Sequence, residues 1–324
     1  MKVCIYGAGA IGSWIGHRLA RAGCSVSMVA RGVTLDALRL HGLRLHDGLD
    51  IAVQAVTSSA TPAELGVQDL VVLAVKAPSL PGVARQIRPL LGPQTAVLTA
   101  MNGVPWWFLQ GFGGALAGTR LVSVDPDGTL ADALPIGHII GCVVHASCSS
   151  DAPGQARHHF GNRLILGEPS GEQTVRVQQL AALLEKAGFE APVSGQIQKD
   201  IWFKLWGNMT VNPISALTGA TTDLIMNDDL VRGFISQVML EAKEIGARLG
   251  IPIDQQPEDR HQITRQLGAF KTSMLQDVEA DKPLELDALV TVVRELGGLT
   301  GVDTPCTDAL LGLARLQARV RGLY

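Results

Sequence analysis

The run Gly7-Ala8-Gly9-Ala10-Ile11-Gly12 stands directly behind the apolar stretch Lys2–Tyr6. In a chain of 324 residues with 36 glycines, a lone Gly-x-Gly-x-x-Gly arises easily by chance. Position makes this one constraining. An apolar strand pattern leads into it, and a helical pattern leaves it, with Ile11, Trp14, Ile15 and Leu19 on one side until the pattern stops near Gly23. A second strand pattern, Ser25–Val29, follows. Strand, glycine turn, helix and strand in this order form the unit whose crossover produces parallel strands. Gly7 then allows the tight turn, Gly9 lets the backbone approach a pyrophosphate, and Gly12 lets helix and strand pack closely. Residues 7–12 are therefore the candidate cofactor loop, with the free N–H groups of a helix N-terminus facing the phosphates.

The alternation continues. Asp69–Val75 and Thr95–Met101 read as buried strands, Arg163–Gly167 as a shorter one, and Thr174–Ala187 as a helix. Their near-continuous apolar character predicts a parallel sheet covered on both faces. Beyond Pro192–Gly195 the strand signals almost vanish. Asp229–Leu249 carries Leu230, Phe234, Val238, Ala242 and Ile245 at helical spacing, and Ile263, Leu267, Phe270 and Met274 predict a further helix. The fold class expected is α/β: a Rossmann-type dinucleotide-binding domain over residues 1–195, followed by an all-helical domain over residues 196–324.

The second strand also bears on which dinucleotide. An NAD site wants a carboxylate at its end for the ribose 2′-hydroxyl, but here it ends Met28-Val-Ala-Arg31, with no acid before Asp36. Arg31 could pair with a 2′-phosphate through a bidentate fork, so the expected cofactor is NADP(H). Lys76 and Asn102-Gly103 each end a predicted strand, where ligands of open parallel sheets bind. A solvated lysine and ordinary Asn-Gly turn chemistry are the plain alternatives.

Composition closes off other classes. With 27 Lys+Arg against 30 Asp+Glu, the net charge is −3, which gives no basic footprint for nucleic acid. No apolar run reaches the ~18–20 residues of a membrane span. Five cysteines, an odd number without a Cys-x-x-Cys pair, point to a reducing, cytoplasmic setting and to thiols used as small apolar residues. The adjacent pair His158–His159 is a poor chelate, and no metal site is expected.

The most informative stretch is Ile201–Pro213. Lys204, Asn208 and Asn212 recur at i, i+4 and i+8, one polar stripe on a helix otherwise filled by Trp202, Phe203, Leu205, Trp206, Met209 and Val211. Buried asparagines need partners, and a solvated face would carry Glu, Lys and Arg instead. Further on, Ser273–Asp277 closes one predicted helix and Glu285 opens the next. By pattern alone these two are helix-end residues.

With these residues in view, the chain resembles the ketopantoate reductase (2-dehydropantoate 2-reductase) family over nearly its whole length. The resemblance is carried by the glycine loop, Arg31, Lys76, Asn102-Gly103, the Trp-x-Lys-Leu-x-x-Asn-x-x-x-Asn-Pro segment at 202–213, and Ser-Met-Leu-Gln-Asp…Glu at 273–285. It implies NADPH-dependent reduction of the 2-keto group of ketopantoate to (R)-pantoate, on the route to pantothenate and coenzyme A. It implies that Lys204 is the general acid and that Glu285 holds the substrate hydroxyl and orients the lysine. Asn208 and Asn212 would bind substrate or fix the lysine, and Ser273 would hold the carboxylate. Asn102 would contact substrate beside the nicotinamide, with Lys76 and Arg31 serving the cofactor. A small 2-keto acid is the expected partner, and a homodimer stays open.

Two features depart from the pattern. Thr222 stands where some members carry a further substrate-binding asparagine. Trp106, Trp107, Phe108 and Phe112 crowd into seven residues, either as packing beneath a loop or as a reshaped pocket. A reductase of another 2-keto acid, a β-hydroxyacid dehydrogenase and a non-enzymatic NADP-binding sensor are the alternatives.

Overall fold

The computed structural model describes residues 1–48 and 50–324. They divide into two compact units, Met1–Met101 with Thr129–Ile197, and Asn102–Gly128 with Gln198–Tyr324. The segment 102–128 thus belongs with the second unit, which a single cut at residue 195 does not describe.

The first unit is built on one nine-stranded sheet. Its strands are β1 (Lys2–Tyr6), β2 (Ser25–Val29), β3 (Leu43–Asp47), β4 (Asp50–Gln54), β5 (Thr57–Ser59), β6 (Leu70–Leu73), β7 (Ala96–Thr99), β8 (Ile139–Ala152) and β9 (Gln155–Gly167). They lie in the order β4-β3-β9-β8-β7-β6-β1-β2-β5. From β5 to β8 every neighbouring pair is parallel. The expectation of a wholly parallel sheet fails beyond that point, because β9 returns antiparallel to β8 and β4 antiparallel to β3. The cause is local. Only Pro153 and Gly154 separate β8 from β9, Gly154 with φ +67°, and so short a turn can join only antiparallel strands. The outer half of β8 is rich in Ser and half-buried to exposed, so it carries little apolar signal to predict from.

Helices α1 (Ala10–Arg21), α2 (Gly32–His41), α3 (Leu80–Ala84), α4 (Thr129–Ala133) and α5 (Val175–Lys186) complete this unit. Trp14, Ile15 and Leu19 of α1 are fully buried with Ile5 in the same core, each side chain contributing about 1.5–3 kcal/mol by leaving water. Arg18 comes inside with them. Asp47 neutralises it at 3.0 Å, and it lies 5.3 Å from the Trp14 ring centroid and 5.2 Å from that of Phe189.

The second unit is helical: α6 (Ile197–Thr218), α7 (Thr222–Asn227), α8 (Asp229–Arg248), α9 (Pro257–Arg265), α10 (Ser273–Glu279), α11 (Val292–Thr300) and α12 (Pro305–Val320). Trp202 and Trp206 of α6 donate indole N–H bonds to the carbonyls of Ala242 (3.2 Å) and Met239 (2.7 Å) on α8. That contact sets which face of α8 is inside. Val238, Ala242 and Ile245 are buried as expected, but Leu230 is 81% exposed, and Ile235 and Met239 take the inner positions. The expected helix through Ile263, Leu267, Phe270 and Met274 is broken. α9 ends at Arg265, Gly268 takes φ +62°, and α10 begins afresh at Ser273 behind its N-cap Thr272, whose hydroxyl accepts from Leu275 N at 3.2 Å. Ser273 therefore opens a helix and does not close one. Among the described residues no helix is long and apolar enough to cross a membrane.

Candidate functional site

In the first unit the three glycines of the loop stand in different surroundings. Gly7 has φ +111°, and a Cβ there would lie 2.7 Å from both Ala74 O and Val75 Cγ1. At Gly12 a Cβ would collide with the Gly7 carbonyl and come within 3.0 Å of Ile5 Cγ2. Gly9 is the opposite case, since a Cβ there would meet nothing within 4 Å. It caps α1 without any side-chain hydrogen bond, and the first turn holds no acid. Uncapped N–H groups beside an open space fit an anion such as a pyrophosphate. Ala8 and Ile11 pack against the core, while Ala10 starts the helix.

Two cations border this loop. Gly7 N donates to Val29 O at 3.3 Å, which brings the end of β2, and Arg31 just beyond it, alongside. Arg31 is exposed; burial raises the Tyr6 phenol above its ordinary value, and the nearby Arg31 charge works the other way. On the opposite flank, β6 ends beneath Gly7, and half-buried Lys76 caps the 3-10 turn Ala77–Ser79.

The second unit holds the other cluster. Within 201–213 of α6 the half-buried positions are Phe203, Lys204 and Asn208, while Trp202, Leu205, Trp206 and Met209 are buried. Asn212, one turn beyond Asn208, is 7% exposed, and α6 continues through Pro213 to Thr218. Lys204 Nζ donates to Asn102 Oδ1 at 2.8 Å. The adjoining Gly103 explains how that amide is held. It has φ +82°, and a Cβ there would collide with the Ala288 carbonyl and lie 2.7 Å from its carbon. Val104 N donates to the same Ala288 O at 2.8 Å.

Ala288 belongs to a π-helical turn, Asp287–Thr291, set immediately after Glu285. Turns of this kind recur at functional sites. Glu285 is 5% exposed, and its carbonyl accepts from Leu289 N at 3.1 Å. The chain's last residues hold this turn. Leu284 N donates to Leu323 O at 3.0 Å, and the Tyr324 hydroxyl donates to Asp287 Oδ1 at 2.6 Å. Burial and that bond push the Tyr324 phenol up to about 12. Ser273 sits exposed at the first position of α10. Lys204 and Asn102 are thus joined directly, Asn208 and Asn212 share the α6 stripe, and Glu285 and Ser273 come from separate elements.

Both departures noted in the sequence resolve. The Thr222 hydroxyl donates to Gly268 O at 2.6 Å and accepts from Phe270 N at 3.2 Å, so it clamps the loop leading to α10. The aromatic run is packing: Trp106, Trp107 and Phe108 are essentially fully buried, and the Phe108 ring lies 6.2 Å from that of Trp202. Sequence reasoning misses Ala288 and Tyr324. A backbone carbonyl leaves no trace in a sequence, but a glycine following the candidate Asn102 is a signal for close backbone approach.

The model for the ketopantoate reductase PanE/ApbA family matches residues 3–171, and that for its C-terminal domain matches residues 196–318. The chain is 48% identical over its full length, and the full length of the relative, to a 2-dehydropantoate 2-reductase of Mesorhizobium japonicum. Among solved structures, a chain from Ralstonia solanacearum MolK2, named provisionally as a ketopantoate reductase, superposes with TM-score 0.96 at 55% identity, covering 100% of this chain and 99% of that one. D-mandelate dehydrogenase, solved with NADH and anilino(oxo)acetate, shares the fold at TM-score 0.85 and 21% identity over both full lengths.

Proposed function

The chain belongs to the ketopantoate reductase family, and from that premise we propose that it reduces the 2-keto group of 2-dehydropantoate with NADPH, giving (R)-pantoate for pantothenate synthesis. It is a nicotinamide-dependent oxidoreductase. The finer choice of NADP(H) rests on exposed Arg31 at the end of β2 with no acid before Asp36, a fork suited to a 2′-phosphate. The residues of the glycine loop, Gly7 to Gly12, and Lys76 complete the cofactor set. Five cysteines that form no disulfide support a reducing, cytoplasmic setting.

The observation that carries this reading is the Lys204–Asn102 pair, 2.8 Å apart, with the lysine half-buried on the otherwise mostly buried 201–213 stretch of α6. Hydride addition to a ketone turns the carbonyl oxygen into an alkoxide, which needs a proton or a positive charge beside it. The nicotinamide, when bound, supplies the hydride. Lys204 gives its proton to that oxygen. Asn102, from the loop pinned by Ala288, holds the ammonium in place and contacts the substrate. Asn208 and Asn212 present amide donors and acceptors along the same stripe, and Ser273 offers a hydroxyl to the carboxylate. Glu285 accepts from the substrate's C4 hydroxyl and helps orient the lysine.

The test is steady-state oxidation of NADPH by purified protein with ketopantoate, with NADH as the comparison cofactor. Turnover with ketopantoate supports the reading; inertness toward it removes the substrate assignment. A second reading, a reductase of another 2-keto acid, is favoured by Thr222, whose hydroxyl is engaged by Gly268 and Phe270. A higher kcat/KM for 2-ketoisovalerate than for ketopantoate would select it.

A further inference from the structure

Lys204 is not the only cation on its face of α6. Arg260 of α9 lays its guanidinium over the Phe203 ring, 5.9 Å from the centroid. It fills the space that Gly207 leaves open: a Cβ at 207 would collide with its Nε and come within 2.9 Å of its Cζ. Gly207 is three residues from Lys204, and residues so spaced are neighbours on a helix surface. The guanidinium therefore lies one step around the helix from the lysine, over Phe203 and Gly207.

This cation has no counter-charge among the described residues. Its Nε is buried without a hydrogen-bond partner there. The two acids that precede it are engaged elsewhere: Asp259 accepts from Gln256 N at 2.8 Å, and Glu258 bonds Arg265 at 2.6 Å and lies 3.4 Å from His261. Burial pushes Arg260 below its ordinary pKa. A desolvated cation left unpaired is unfavourable, and a glycine that admits one against the catalytic helix makes room for a charge the protein itself does not balance.

We propose that Arg260 is the charged anchor for the carboxylate of the keto acid, gripping it while Lys204 serves the adjacent carbonyl. This rests on the 2-keto acid reading above. In such a substrate the carboxylate carbon is bonded to the carbonyl carbon, so its anchor must stand near the proton donor; Arg260 packs on Phe203, the residue before Lys204, and against Gly207, one turn beyond it. A guanidinium fork matches a carboxylate bidentately, whereas the Ser273 hydroxyl offers a single neutral donor.

The experiment compares wild type, Arg260→Ala and Arg260→Lys with three substrates: ketopantoate, 2-ketoisovalerate and the methyl ester of 2-ketoisovalerate. Calorimetric binding of oxamate is measured in parallel. Arg260→Ala is expected to lower kcat/KM for the acids by roughly 10–100-fold, mainly through KM, and to leave the neutral ester unchanged. Arg260→Lys should recover part of the loss, and added guanidinium should rescue the alanine variant. Gly207→Ala, which displaces the guanidinium without removing it, should reproduce the acid-specific defect. Equal losses for acid and ester, or no loss, overturn the anchor and leave the reductase reading intact. A wild type inert toward every keto acid overturns that reading instead; oxamate binding then decides for Arg260, supporting it if lost in Arg260→Ala and overturning it if retained.

Discussion

Asn102 Oδ1 accepts a hydrogen bond from Lys204 Nζ at 2.8 Å, across 102 residues of sequence. The amide does for the lysine what a neighbouring carboxylate would do less well, since it fixes the ammonium without neutralising it. A hydrogen bond to a charged group contributes ~1.5–3 kcal/mol. Asn102→Ala should therefore lower kcat by roughly 10–100-fold, with the fold and cofactor affinity kept. An unchanged kcat would show that the pair has no part in turnover.

Gly103 makes that pair achievable, because its φ of +82° lets the backbone pass against Ala288. In Gly103→Ala the left-handed conformation and the collision together should cost at least about 2 kcal/mol. Thermal unfolding should show a melting point several degrees lower, and activity should fall with it as Asn102 shifts. A variant as stable and active as wild type would contradict the close approach.

Thr222 holds the loop before α10 by two bonds from one hydroxyl. Thr222→Val leaves Gly268 O and Phe270 N without that partner, a loss of about 1–3 kcal/mol in stability. Thr222→Ser, which keeps the hydroxyl, should retain most of it. Denaturant titration distinguishes the two, and equal stability of Val and Ser variants would mean the clamp contributes nothing.

The proposed role of Arg31 at the 2′-phosphate separates the two nicotinamide dinucleotides. Arg31→Ala should weaken NADPH binding by roughly 10–100-fold and leave NADH nearly unchanged, since only the former carries the 2′-phosphate. Fluorescence titration of each cofactor measures this directly. Parallel losses for both would place Arg31 elsewhere than at the 2′-position.

Much of the fold and of the site is legible in the amino-acid sequence. The glycine loop, β1, β2, α1 and the stripe Lys204–Asn208–Asn212 all follow from period and position, because local pattern and tertiary role agree there. Strand β8 does not, since its outer half is mostly polar and only half-buried to exposed. The break at Gly268 and the fresh start at Ser273 are hidden by Ile263 and Leu267, apolar residues at helical spacing that prove 46% and 42% exposed. The link from Gly103 to Ala288 runs through a backbone carbonyl, which no side-chain pattern records. Arg260 is invisible in the sequence for a related reason: its significance lies in what Gly207 omits.

The central claim is that Lys204 donates the proton in a keto-acid reduction. Steady-state NADPH oxidation with ketopantoate, run on wild type and Lys204→Ala alongside cofactor titrations, tests it most directly. The expected result is a kcat lower by roughly 10²–10⁴ in the variant with NADPH affinity unchanged. A Lys204→Ala protein that turns over ketopantoate at the wild-type rate would contradict it.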